Sequence, residues 1–115
     1  IVSAVGNPHF MVEVNNVDDF EIEKLYQSVK NNENFTSGVN LEIYQIINNE
    51  YVKARVYERG VGETDACGSG ALCMFNYLSK TKKISTNGYI LYPGGELNLR
   101  FENDDLYLSG EVIYL

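Results

Sequence analysis

The stretch CGSGALCMFNYLSK, residues 67–80, decides the fold. Its Gly68-Ser69-Gly70 opening and the run that follows predict a helix from Gly68 to about Lys80. Ala71, Leu72, Cys73, Met74 and Phe75 are apolar on every side, and Tyr77 and Leu78 continue them. A helix that is hydrophobic all round belongs inside a protein rather than on its surface. Whatever encloses it must come from the flanking segments.

Those segments read as strands. Upstream, VNLEIYQII (Val39–Ile47) and YVKARVYE (Tyr51–Glu58) predict a hairpin joined by a tight Asn48-Asn49-Glu50 turn. FMVEV (Phe10–Val14) predicts a short strand after a Gly6-Asn7-Pro8-His9 turn. Between them Ile22, Leu25, Tyr26 and Val29 recur at i, i+3, i+4 and i+7, an amphipathic helix with Asp18 and Asp19 as candidate caps and an end near Lys30. Asn31–Gly38 reads as loop. Downstream, GYILY, the turn Pro93-Gly94-Gly95, ELNLRF, a polar break, LYLSG and EVIYL read as short strands at hairpin spacing. Strands on both sides of one buried helix give the expectation of a single α+β domain over residues 1–115. Its curved, mostly antiparallel sheet wraps around that central helix.

Charge and cysteines narrow the function. Sixteen acidic against nine basic residues leave a net charge of −7, which argues against nucleic acid or an anionic membrane as partner. A small anion held by backbone donors is still compatible. Cys67 and Cys73 are six positions apart, about 9 Å along a helix, too far for a disulfide. They read as reduced thiols of a cytoplasmic protein. One histidine and two cysteines at this spacing match no zinc pattern, so no metal is expected. Gly60-Val61-Gly62 starts like a dinucleotide loop, but Asp65 stands where the third glycine belongs.

Cys67 is the strongest candidate for chemistry. It follows Glu58, Arg59, Glu63 and Asp65 and stands at the helix start, where free N–H groups and the dipole favour a thiolate. The bland alternative is a small buried residue at a strand–helix junction. In the functional reading, Gly68, Ser69 and Gly70 present N–H donors to a carboxylate, and Cys67 has a lowered pKa and is alkylated before Cys73. Cys73, amid Leu72, Met74 and Phe75, reads as inert core. His9, the sole histidine, follows an Asn-Pro turn that would fix it. Glu58 and Arg59 end a strand beside a glycine-shaped loop.

Taken in order, GNPH, GVNLEIYQI, RVYERGVGET, ACGSGA and the late PGG are similar to the C-terminal half of diaminopimelate epimerase. That family resembles proline racemase and other cofactor-independent isomerases in fold. The resemblance implies that Cys67 is one of two catalytic acid/base thiols, supported by His9 and Glu58. It gives Gly68 and Ser69 the role of donors to the substrate's α-carboxylate, and makes Asn7, Asn40, Glu58 and Arg59 substrate contacts. It also implies two similar halves, each a sheet around a central helix, with LL- or meso-diaminopimelate between them. The N-terminal half, with the second cysteine, is the partner this implies, and a homodimer of the full-length protein stays open. Thr36, Ile43 and Phe10 depart from the family pattern, and none is a proposed contact. Two other readings stand beside this one: a cysteine-nucleophile hydrolase or acyltransferase using Cys67 with His9, and a non-catalytic amino-acid-binding module. A related racemase acting on another amino acid is also compatible.

Overall fold

The computed structural model describes residues 2–3, 9–32 and 38–110. Ten elements follow in chain order. They are β1 (Val2–Ser3), β2 (His9–Glu13), α1 (Ile22–Val29), β3 (Asn40–Ile46), β4 (Tyr51–Glu58) and β5 (Gly62–Thr64), then α2 (Gly68–Lys80), β6 (Asn87–Tyr92), β7 (Gly95–Glu102) and β8 (Asp105–Gly110). The strands form one sheet in the order β1-β2-β3-β4-β6-β7-β8, with β5 paired to β4 off this path. Five of the seven pairings are antiparallel, and β2–β3 and β4–β6 are parallel. The architecture is thus α+β with a mostly antiparallel mixed sheet, as expected.

Each parallel pair carries one helix as its crossover, α1 between β2 and β3 and α2 between β4 and β6. Both steps move the same way across the sheet, while β4 runs opposite to β3. Right-handed crossovers then require the helices to sit on opposite faces. The core obeys this. Leu41 and Ile43 of β3 join Ile22 and Tyr26 of α1 in one apolar cluster. Val52, Ala54 and Val56 of β4 join Met74, Phe75 and Leu78 of α2 in the other, with Ile90, Leu97 and Leu99.

The sheet also has to curl. From β2 to β8 is five strand steps, about 24 Å if flat, yet α2 touches both β2 and β8. A helix about 10 Å across reaches both only if the sheet wraps around it. Along α2, Gly70, Ala71, Cys73, Met74, Phe75, Leu78 and Ser79 are buried. Ser69, Asn76 and Lys80 form an exposed stripe, and Leu72 and Tyr77 are half-buried. Enclosure is therefore broad rather than complete.

The hairpin turn is built as read: Asn48 Oδ1 accepts from the N–H groups of Glu50 and Tyr51 at 2.8 and 3.1 Å. Two readings need correction. Asp18 and Asp19 do not cap α1, whose N-cap is Glu21 without a side-chain bond among the described residues. Asn16 Oδ1 instead accepts from the Asp18 N–H, Asp19 accepts from Asn16, and Asp18 pairs with Lys53. Arg55 fixes this segment by donating to the carbonyls of Val17 and Phe20, both at 2.8 Å. In addition, β5 folds back on the end of β4 where only loop was expected. Gly60 and Gly62 supply the positive φ values of 78° and 107°, and Arg55 grips Glu63 with two bonds of 2.6 and 2.8 Å. EVIYL, Gly6-Asn7-Pro8 and Thr36 lie outside the described residues. Among the described residues no helix is long and apolar enough to cross a membrane.

Because Phe75 is fully buried in α2, Phe75→Ala should cost about 3–5 kcal/mol in urea unfolding. Asn76→Ala, one position along on the exposed stripe, should stay within about 0.5 kcal/mol.

Candidate active site

Side-chain alternation gathers the polar candidates on one face. In the parallel pair His9 lies beside Asn40 and Met11 beside Glu42, and Glu42 faces Val56 of β4. Since residues two apart share a face, His9, Asn40, Glu42 and Glu58 all point to the side that α2 covers. The helix begins over them.

That beginning is fixed from three directions. Cys67 is the N-cap in extended conformation, φ −145° and ψ 110°, and its Sγ accepts from the Gly70 N–H at 3.4 Å. Tyr92 Oη donates to the Cys67 carbonyl at 3.3 Å. The Gly94 N–H donates to the Asp65 carbonyl at 3.0 Å, and a Cβ on Gly94 would stand 2.8 Å from that of Asp65. The late PGG turn is thus a support for the cysteine loop, and side-chain bulk there would push the loop away.

A line of polar atoms runs inward from the thiol. Cys67 Sγ is 3.4 Å from Ser69 Oγ, Ser69 Oγ is 3.4 Å from His9 Nε2, and His9 Nδ1 is 2.8 Å from Glu42 Oε1. His9 and Glu42 are both 0% exposed. The other Glu42 oxygen is buried with no hydrogen-bond partner among the described residues. Burial holds the Glu42 carboxyl above the usual carboxylate range; the His9 hydrogen bond and charge oppose this, and Glu58 adds to it.

The expected lowering of the Cys67 pKa is overturned. Burial pushes the thiol up, the bonds from Ser69 and Gly70 pull it down, and the charges of Glu42 and Glu58 push it up again. Desolvation outweighs the helix start, so the resting form is the thiol. Exposure gives Cys67 little advantage for alkylation either, at 7% against 5% for Cys73.

The other candidates are placed unevenly. Asn40 is buried, and its Oδ1 accepts from the Arg59 N–H at 2.8 Å, so it shapes the loop that carries Arg59. Gly38, at φ +95°, lets the Arg59 side chain pass, since a Cβ there would lie 1.8 Å from Arg59 Cδ. Glu58 accepts from the Thr64 hydroxyl. Gly68 and Ser69 form the first turn of α2, with Ser69 open to solvent. Asn7 lies outside the described residues.

Glu42 escaped the sequence reading. No motif, turn or cap picks it out of the strand read over Val39–Ile47. One signal was available: an amphipathic helix and a fully apolar helix around one sheet imply a central strand covered on both faces, where a glutamate is a buried charge.

The ligating atoms of His9, Glu42 and Cys67 lie within 4.8 Å of one another, a cluster that chain spacing could not reveal. The two imidazole nitrogens point away from each other. An ion on Nε2 would leave Glu42 behind the ring, and one on Nδ1 would displace the 2.8 Å bond. Linked through Ser69, the trio forms a hydrogen-bonded chain, and no metal ligand is identified in it.

The diaminopimelate epimerase family model matches residues 1–115. The diaminopimelate epimerase of Brachyspira hyodysenteriae is 40% identical over 114 residues, covering 96% of this chain and 40% of the relative. That of Xanthomonas euvesicatoria pv. vesicatoria is 36% identical, covering 97% and 40%. The chain thus spans about 40% of the length of these curated relatives. A crystal structure of a Bacillus anthracis PhzF-family phenazine biosynthesis protein shares the fold, with a TM-score of 0.62 at 17% identity over 93% of this chain and 35% of that one. With its full length matched, the chain belongs to the diaminopimelate epimerase family.

Proposed function

We propose that this chain is the C-terminal half of a cofactor-independent, cytoplasmic epimerase that interconverts LL- and meso-diaminopimelate. The observation that carries the reading is the polar line from Cys67 through Ser69 to His9 at the start of an enclosed helix. The N–H groups of a helix's first turn lack intrahelical acceptors. That of Gly70 meets Cys67 Sγ, and those of Gly68 and Ser69 suit a substrate carboxylate. Arg59 and Asn40 complete the substrate contacts on this side, and the same role is assigned to Asn7.

Inverting an α-carbon requires one group to take the proton and another to return one on the opposite face. Cys67, resting as the thiol, is suited to returning it. The base then comes from the N-terminal half, because Cys73 lies about 9 Å further down the same helix. Hydrogen bonds at the carboxylate and exclusion of water stabilise the carbanion, and both need a closed cleft between two halves. A nucleophilic hydrolase would need Cys67 ionised at neutral pH, and burial beside two carboxylates works against that.

The test is solvent deuterium incorporation at the α-carbon of LL-diaminopimelate, followed by mass spectrometry. The full-length protein should exchange, and Cys67→Ala should abolish exchange. The 115-residue chain alone should give none; robust turnover by it would show that the second base is misplaced. A separate check concerns the thiol. Its raised pKa means that thiolate, and with it iodoacetamide labelling of Cys67, should appear only above the pH of an ordinary cysteine. Peptide mapping that finds full reactivity already at neutral pH would contradict a protonated resting state.

A further inference from the structure

Glu42 is a buried charge to which the roles assigned so far give no task. It lies on β3 between Leu41 and Ile43, in a strand covered on both faces. Its one described partner is His9. Room for it is made by Gly70 of α2, where a Cβ would stand 2.1 Å from Glu42 Oε1 and 2.9 Å from Cδ. Gly70 has no positive φ that would demand glycine, so the space for the carboxylate is what requires it. Three elements, β2, β3 and α2, are thus shaped around one hydrogen bond.

A 2.8 Å contact between a carboxylate oxygen and an imidazole nitrogen holds one proton between them. A carboxylate can only accept a hydrogen bond, so with Glu42 in that form the shared proton sits on Nδ1. The neutral ring then has its lone pair on Nε2, the atom 3.4 Å from Ser69 Oγ. We propose that Glu42 is a positioning residue that holds His9 as the Nδ1–H tautomer with Nε2 turned to Ser69, so that the imidazole accepts the Cys67 proton through the Ser69 hydroxyl and returns it by the same route. In the forward step the Cys67 S–H bond breaks as Ser69 receives that proton and passes its own to Nε2. Thiol, imidazole and carboxylate become thiolate, imidazolium and carboxylate, with one negative charge before and after. The new imidazolium faces Glu42, and this pairing makes the transfer tolerable in a desolvated site. The inference rests on the epimerase reading only for its use, because an acid/base thiol must reach both protonation states.

The groups acting on Cys67 are Ser69 and Gly70 on its own helix, Glu42 from β3 and Glu58 from β4, and His9 from β2 reaches it through Ser69. Glu42→Gln discriminates by sign. If Glu42 acts only as a nearby charge, removing it eases ionisation and lowers the pH midpoint of Cys67 alkylation. If it acts through His9, the imidazolium loses its partner and the midpoint rises; a rise of about one unit would slow labelling roughly tenfold at neutral pH. A fall or no change overturns the proposal, as does an equal rise in a His9→Gln background, where no relay exists. A measurement on the unaltered chain guards against misfolding of the variants. His9 is the sole histidine, so its ¹⁵N resonances are assigned without ambiguity. A protonated Nδ1 is expected, and an Nε2–H tautomer with bare Nδ1 overturns the assignment. None of these readouts uses substrate. Failure of α-hydrogen exchange in the full-length protein would sink the epimerase reading while leaving the relay standing.

Discussion

Helix α2 has too narrow a polar stripe to live on a surface, and the sheet curls until β2 and β8 both touch it. The remaining geometry follows from that enclosure. The helix must start somewhere under the sheet, and it starts where β2 and β3 begin and where β4 and β6 end. Cys67, His9, Asn40, Glu58 and the Tyr92 hydroxyl converge there because each stands at the end of one of those elements. The site is a product of strand direction as much as of residue choice. A slip of one residue in the β2–β3 register would turn His9 or Asn40 to the α1 face.

The same enclosure decides the charge state of the thiol. A helix N-terminus favours an anion by about 0.3–1 kcal/mol, or about 2 in partly buried settings. Burial shifts a titratable group by as much as 3–5 pH units, each unit being about 1.4 kcal/mol. At Cys67 burial is the largest influence, and Glu42 and Glu58 act in the same direction against the Ser69 and Gly70 bonds. The local motif argued for a thiolate, and the tertiary environment reversed it.

Much of the fold was legible because it depends on local pattern. The Asn48–Glu50 turn, the β3–β4 hairpin and the limits of α2 came from turn chemistry and apolar runs. Cys67 and the Gly68–Ser69 turn stood out for the same reason. What escaped depends on contacts distant in the chain. Asp18 and Asp19 looked like caps, but Lys53 and Asn16 take them. Strand β5 is too short for a period to show, and it is held by Arg55 from the neighbouring strand. Glu42 drew no attention because alternation names one inner face, whereas two helices make both faces inner.

These environments bear on how two thiols can share one proton transfer. In the proposed two-thiol epimerisation, one cysteine has to be protonated and the other ionised at the same moment. If the second thiol sat in surroundings like those of Cys67, both would rest protonated and no base would exist. Either the other half is less desolvated and less acidic around its cysteine, or an imidazole has to take up the proton. In the proposed relay His9 and Glu42 meet the second condition within this chain, because on taking up a proton they pass from one net negative charge to a neutral ion pair. The substrate's own ammonium group offers a further counterbalance to Glu58 and Glu42 once the cleft closes. The resting acidity of Cys67 therefore describes the half-site alone, and ligand binding should bring its two protonation states closer in energy.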